Sequence, residues 1–404
     1  MAARTVETQL AELRSRSLLR RLNEVASPQK TVIESGGKTL VNFSSNDYLG
    51  LAAEPFLREA AKRAIDEWGV GAGASRLICG TLSPHVELEK KLAEFKRTEA
   101  ALTFSSGYAA ALGTLGALLS REDVVILDKL AHASLIDGAR LSGALIRVFP
   151  HNHLGKLESH LHWAKKNEPN ARVLIVTESV FSMDGDRAPL AEIVEMKEHY
   201  GAMLLLDEAH AVGVIGKNGR GFADKLGVAN RVDLQMGTLS KSLGASGGYI
   251  CASRLLIDLL INRARSFIYS TAPAPAIAAA ARAAVEFLMS EAGEVRRQLL
   301  GERVKQFLVE APRKFLPTNQ SCETDETGET NIVQISSAIV PVILGDEQTA
   351  LAASQWLRDK GFFVPAIRFP TVPRGSARLR VTLSANHAAE QISALCEALH
   401  QLRA

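Results

Sequence analysis

Seven short apolar runs, set between stretches of helical spacing, constrain this chain more than any other feature. Between residues 100 and 253 they read AALTF, DVVILD, LIRVF, VLIVTES, MLLLDEAH, DLQMGTLSK and GGYICAS. Helical stretches such as PFLREAAKRAIDEW and HVELEKKLAEF precede the first run, and others separate the rest. Runs that are apolar at nearly every position belong to strands buried on both faces, so the alternation predicts an α/β fold: a mostly parallel central sheet covered by helices.

The remaining segments frame that domain. Leu10, Leu13, Leu18, Leu19 and Leu22 lie near helical spacing and predict an amphipathic helix from about residue 6 to 24. After YSTAPAPA comes an Ala-rich helix, followed by strand AIVPVIL, helix EQTALAASQWLRDKG, strands FVPAI and ARLRVTL, and a closing helix. The expected division is 1–50 as an N-terminal helix and strand segment, 51–285 as the large domain and 286–404 as a smaller α+β domain. The acidic stretch TNQSCETDETGETN reads as a loop.

Bulk properties narrow the partners. A net charge of +3 spread over 404 residues shows neither a nucleic-acid stripe nor a polybasic membrane patch. Cys79, Cys251, Cys322 and Cys396 are far apart, with no C-x-x-C spacing, which argues against a disulfide framework and for a reducing compartment. The N-terminus has no apolar signal core and no run is long enough to span a bilayer, so the expectation is a cytoplasmic protein acting on small molecules.

Three of the apolar runs end in polar side chains: Glu178 and Ser179, Asp207 and His210, then Thr238, Ser240 and Lys241. Ligands of open α/β sheets bind beyond the carboxyl ends of the strands, so these residues are expected to meet in one crevice. In GTLSKSLGASGG, small neighbours leave Lys241 free to reach an aldehyde and swing away from it. Asp207, after four apolar residues, must find a cation or an N–H partner, or else take up a proton. TFSSGYAAALG breaks a strand at Ser105, Ser106 and Gly107 before a helix whose N-terminus suits a phosphate. A Schiff-base lysine, an acid for a ring nitrogen and a phosphate cup together describe pyridoxal phosphate chemistry.

Other signals carry less. DEAH lacks the phosphate loop a helicase motor needs, and GVIGKNGRG has neither the spacing nor the hydroxyl of one. GVGAGAS follows a helix and not a strand, unlike a dinucleotide fingerprint. His151, His153, His160 and His162 read as a histidine-bearing loop leading into a helix, and no metal is expected.

NFSSNDYLGL, HASLIDGARLSGA, TESVFSMDGDRAPL, LDEAHAVGVIGKNGRG, GTLSKSLGASGGY, IYSTAPAP and AIRFPTVPRGSARLRVTLSANH resemble, in this order and over nearly the whole chain, the α-oxoamine synthases, which are fold-type I pyridoxal phosphate transferases. FSMDGDRAPL, IYST and AIRFPTVP are most similar to members that join L-alanine to a pimeloyl thioester, carried by CoA or a carrier protein, in biotin synthesis. SRLICGT is similar to the glycine C-acetyltransferase form. Ser240 stands where many synthases have glycine, and the acidic ETDETGET stretch is an insertion.

The resemblance implies roles. Lys241 would carry the cofactor and act as acid and base, Asp207 would hold the ring nitrogen protonated, and His132 would stack on the ring. Ser179 and His210 would contact the phenolic oxygen. Ser106, Gly107, Tyr108 and Thr238 would surround the phosphate, with Thr271 reaching across from the second subunit of a homodimer. Arg380 would pair with the amino-acid carboxylate, a task suited to a guanidinium. Asn46, Arg20 and Arg368 would contact the substrate or thioester. Read without the resemblance, Asp207 also suits a helix cap, His132 a helix start, Arg380 a surface strand and Arg20 the solvent face of its helix. A sister synthase using glycine or another acyl group, or a cofactor-binding protein without turnover, is the alternative.

Overall fold

The computed structural model describes residues 5–316, 323–324, 330–331 and 337–402. The chain divides into two compact units: Met1–Asn46, Met183–Gly185 and Leu299–Ala404 form the smaller, Asp47–Ser182 and Asp186–Gln298 the larger. The smaller unit opens with a helix, Val6–Ser15, whose cap Thr5 accepts a hydrogen bond from the Thr8 N–H at 3.2 Å. This is shorter than the helix expected to about residue 24. None of its residues is buried, so its leucines gain little from continuing the pattern. Ser17 turns to φ 55°, Arg368 donates to the Ser17 carbonyl, and Arg20 Nη2 donates to Thr371 Oγ1 at 3.1 Å, which ties the next stretch down. Strands β1 (Val32–Ser35) and β2 (Lys38–Asn42) follow as a hairpin. Its turn needs positive φ at both central positions, and Gly36 (60°) and Gly37 (71°) supply it.

The larger unit holds β3 (Ala100–Phe104), β4 (Val124–Asp128), β5 (Leu145–Phe149), β6 (Val173–Glu178), β7 (Met203–Asp207), β8 (Leu234–Thr238) and β9 (Gly248–Ala252) in one sheet. Their order is β3, β9, β8, β7, β6, β4, β5. Strands β8, β7, β6, β4 and β5 run parallel, while β9 is antiparallel to both of its neighbours. Each strand lies within its quoted apolar run. Along β4, Val125 and Leu127 join a core with Leu102, Leu115 and Val176, whereas Val124 and Ile126 join a second core with Ile175, Leu204 and Leu206. Alternate residues thus feed separate cores on the two faces of the sheet, which is why the runs are continuous and not alternating.

In the smaller unit, β12 (Ile339–Gly345) and β14 (Ala366–Ile367) flank β15 (Ala377–Thr382), antiparallel to it. The single strand expected at FVPAI is split: β13 (Phe362–Phe363) pairs in parallel with β2, and β14 turns to β15. Pro365 sits at the break; it has no N–H to extend a ladder, though its carbonyl accepts from the Arg380 N–H at 3.3 Å. The acidic 318–331 stretch and Cys322 lie outside the described residues, except for a short antiparallel pairing of β10 (Glu323–Thr324) with β11 (Thr330–Asn331). The described cysteines Cys79, Cys251 and Cys396 are free thiols. Among the described residues no helix is long and apolar enough to cross a membrane.

Candidate active site

The carboxyl ends of β6, β7 and β8 do bring polar side chains together. Register pairs Glu178 with Asp207 and Asp207 with Met236 across the parallel ladders. Past β7, His210 is buried, and its Nε2 lies 2.9 Å from Lys241 Nζ in the loop after β8. Ser179 is fully buried; its N–H donates to the Asp207 carbonyl at 2.9 Å and its hydroxyl to the same oxygen at 3.3 Å. One Asp207 carboxylate oxygen accepts the Ala209 N–H at 2.9 Å, so Asp207 does tie its own turn, as the capping alternative would have it. Burial raises its pKa against the pull of Lys241 and that N–H.

Glu178 faces the same problem in stronger form. Burial, then the neighbouring Asp207 charge, lifts its pKa well above the carboxylate range, although Lys241 opposes and the His132 backbone N–H donates to it. Burial thus holds both adjacent carboxyls above the usual range, and each opposes ionisation of the other. His132 caps the helix Ala133–Ser142, its Nδ1 2.8 Å from Ser134 Oγ, so it is a helix-start histidine and a neighbour of the site at once. Though open to solvent, the ring is crowded enough that desolvation lowers its pKa; Asp207 counters this and Lys241 adds to it.

The helix Gly107–Leu118 begins beside β8. Ser106 caps it, accepting the Ala109 N–H at 3.0 Å. A Cβ on Gly107 would come to 3.7 Å from Thr238 Cβ and Oγ1 and so fill the space at the helix start. Gly248 is needed for a different reason: its Cβ would meet Gly107 Cα and N at 2.6 Å. Thr238 Oγ1 donates to the Gly247 carbonyl at 2.9 Å and lies 2.8 Å from Ser240 Oγ. A helix N-terminus, two hydroxyls and a glycine-lined gap suit a phosphate; a buried carboxyl suits a pyridinium, and Lys241 an aldehyde. The residues present fit pyridoxal phosphate.

Tyr108 is exposed at that helix start and donates to Asp137 Oδ2 at 2.8 Å. Thr271 is exposed in an isolated bridge with Ser75. Asn46, Arg20, Arg368 and Arg380 belong to the smaller unit. Arg380 is buried on β15 and not a surface charge, its Nη1 donating to Thr382 Oγ1 at 2.9 Å. Arg20, Arg21, Arg358, Arg368 and Thr371 line a cavity of about 690 Å³ in that unit.

Nothing in the sequence pattern marks Tyr48 itself. It is fully buried, and its hydroxyl lies 2.5 Å from His210 Nδ1, which makes a chain Tyr48, His210, Lys241. The available signal was the preceding aspartate: Asp47 accepts the Leu51 and Ala52 N–H groups at 2.7 and 2.9 Å, which fixes the turn that aims Tyr48. His151 is a clasp: Nδ1 lies 3.1 Å from Asp128 and Nε2 2.8 Å from Asp186. Burial disfavours its charge, but the two carboxylates together push its pKa up to about 10. Among the described residues no group of three His, Cys, Asp or Glu could hold a metal.

Residues 38–399 match the family described as aminotransferase class I and II. Two proteins named 8-amino-7-oxononanoate synthase are similar over almost the full length. The one from Geobacter sulfurreducens is 45% identical over 95% of this chain and 94% of its own; the one from Anaeromyxobacter sp. (strain Fw109-5) is 47% identical over 98% and 95%. Among solved structures, a serine palmitoyltransferase from S. paucimobilis with a bound PLP–myriocin aldimine has TM-score 0.88 at 29% identity, covering 98% of this chain and 95% of that one. An 8-amino-7-oxononanoate synthase from Francisella tularensis has TM-score 0.73 at 28% identity, covering 89% and 96%. The cofactor is pyridoxal phosphate and the fold is that of the fold-type I enzymes. With both the match along its length and the fitted cofactor groups in view, the chain belongs to the aminotransferase class I and II family, among the members named 8-amino-7-oxononanoate synthase.

Proposed function

We propose that this chain condenses L-alanine with a pimeloyl thioester, releasing the thiol and CO2 and giving 8-amino-7-oxononanoate for biotin synthesis. The observation that carries the reading is the pairing of Lys241 with His210, together with 45% identity to enzymes of that name. Serine palmitoyltransferases match the backbone more closely, but at 29% identity that likeness reports architecture, and the side chains that choose an amino acid vary within it.

Bound pyridoxal phosphate supplies an aldehyde for a Schiff base and a ring that takes up the electrons left at Cα. The chain's part is to place groups around it. Lys241 Nζ would take the Cα proton and later return one, with His210 Nε2 at 2.9 Å orienting it. Asp207 holds a proton on the ring nitrogen by pairing its charge there. Arg380 binds the alanine carboxylate until it leaves as CO2. Arg20 and Arg368, on the wall of the arginine-lined cavity, hold an anionic end of the acyl donor, with Asn46 a further contact.

The working unit is a homodimer. Ile78 (79% exposed), Val70 (78%) and Tyr269 (72%) lie in the sequence segments flanking the bridge of Ser75 with Thr271, and large apolar side chains so exposed call for a covering partner. Thr271 would then act in the partner's site. Sedimentation should give twice the 43.5 kDa chain mass; a monomer that turns over at full rate would sink this part.

The deciding assay measures free CoA released from pimeloyl-CoA with L-alanine, glycine or L-serine in turn. Release with L-alanine alone, and product of the mass of 8-amino-7-oxononanoate, is the expected result. Turnover with glycine or serine instead moves the chain to a sister synthase.

A further inference from the structure

One buried ion pair in the larger unit lies behind the site and takes no part in the chemistry above. Lys96, the last residue of the helix Ser83–Lys96, is 3% exposed. Its Nζ lies 2.5 Å from Glu208 Oε2 and also donates to the Arg220 carbonyl. Glu208 is fully buried, and its other oxygen accepts the Ala223 N–H at 3.0 Å. Beside Lys96, the Phe95 carbonyl accepts Arg220 Nε at 2.9 Å. Two neighbouring residues at one helix end thus grip both the Glu208 side chain and the 220–223 segment.

Glu208 stands between Asp207 and His210. Its main chain is bound as firmly as its side chain: its N–H donates to the Met236 carbonyl, and its carbonyl accepts the Ala211 and Val212 N–H groups, all at 2.9 Å. The GKNGRG glycines, which lack phosphate-loop spacing, fit this arrangement. Gly221 has φ 121°, and a Cβ there would meet both Glu208 carboxylate oxygens at 2.5 Å. Gly221 is glycine because it lies flush on a buried carboxylate, while a Cβ on Gly216 would meet the Gly221 carbonyl and one on Gly219 the Gly213 Cα.

A buried ion pair is a poor source of stability, since desolvating two charges offsets their attraction, and an apolar pair of similar volume often does as well. What an apolar pair cannot do is bind the Arg220 carbonyl and the Ala223 N–H at fixed directions. We infer that Lys96, through Glu208, is a positioning residue that holds the Asp207–His210 turn in register with Lys241. This rests on the proposed reaction for its kinetic consequence, though not for its effect on the cofactor and the backbone.

The test uses the holoenzyme with Lys96→Met and the double variant Lys96→Met/Glu208→Met. The measurements are Tm, the pH midpoint of the cofactor's absorbance change, kcat and KM for L-alanine, and hydrogen exchange of the 208–223 amides with and without cofactor. In the double variant Tm should recover toward wild type, because no buried charge is left unpaired. The midpoint should stay displaced by about half a unit or more, and kcat should stay about ten-fold down with KM changed less than about two-fold. Exchange should remain about ten-fold faster. A double variant with wild-type midpoint, kcat and exchange would show that the pair merely fills the core and overturn the inference. If wild type itself releases no CoA with L-alanine, the substrate reading fails, and the midpoint and exchange still decide the role of Lys96.

Discussion

Lys241→Ala is expected to lower kcat by about four orders of magnitude or more while leaving the fold intact. Two functions fall on one nitrogen: it carries the cofactor and it moves the Cα proton. Acid–base catalysis alone is worth about 10²- to 10⁴-fold, and no described side chain is placed to replace it. His210 Nε2 is only 2.9 Å from Lys241 Nζ, but it is held by Tyr48 at Nδ1 and is buried with it. Lys241 is half-buried in a loop after β8, so truncation opens no cavity in either core. The check is CoA release at saturating L-alanine and pimeloyl-CoA, with cofactor content read by absorbance. A variant that keeps more than about a thousandth of the wild-type rate would remove Lys241 from the proton transfer.

What made Lys241, Asp207 and His210 legible is the same physics that built the sheet. Strands buried on both faces are nearly free of polar residues, so the first polar side chains beyond Val176, Leu206 and Met236 mark the rim where a ligand can sit. Residues set by long-range contact left no such mark. Tyr48 reaches His210 across 162 positions and Lys96 reaches Glu208 across 112, with no periodicity linking them. Leucine spacing alone overextends the N-terminal helix, because it carries no trace of the Arg368 and Arg20 bonds that hold the chain beyond Ser17. FVPAI looks like one strand because its apolar content hides what Pro365 withholds, a single N–H.

Asp207→Asn should cost about 10³-fold in kcat, the effect of losing one preorganised charge at a developing charge, and should leave KM for L-alanine little changed. The amide keeps the shape and can still accept the Ala209 N–H, so geometry survives. It cannot balance a proton on the ring nitrogen, and the electrons of the Cα–H bond then have no sink. Stability without cofactor should move the other way. Burial raises the Asp207 pKa above its unfolded value of 3.8, so the folded chain resists ionising it. The resulting penalty is absent below that unfolded value, grows as pH rises from there to the folded pKa, and is fully present above it. Asparagine removes it. Thermal unfolding of the cofactor-free proteins at pH 7 should therefore give the variant a Tm equal to or above wild type while the loaded variant is nearly inactive. A variant that loses Tm and activity together would make Asp207 a structural cap of its own turn. An active variant would mean that the ring nitrogen needs no charge beneath it.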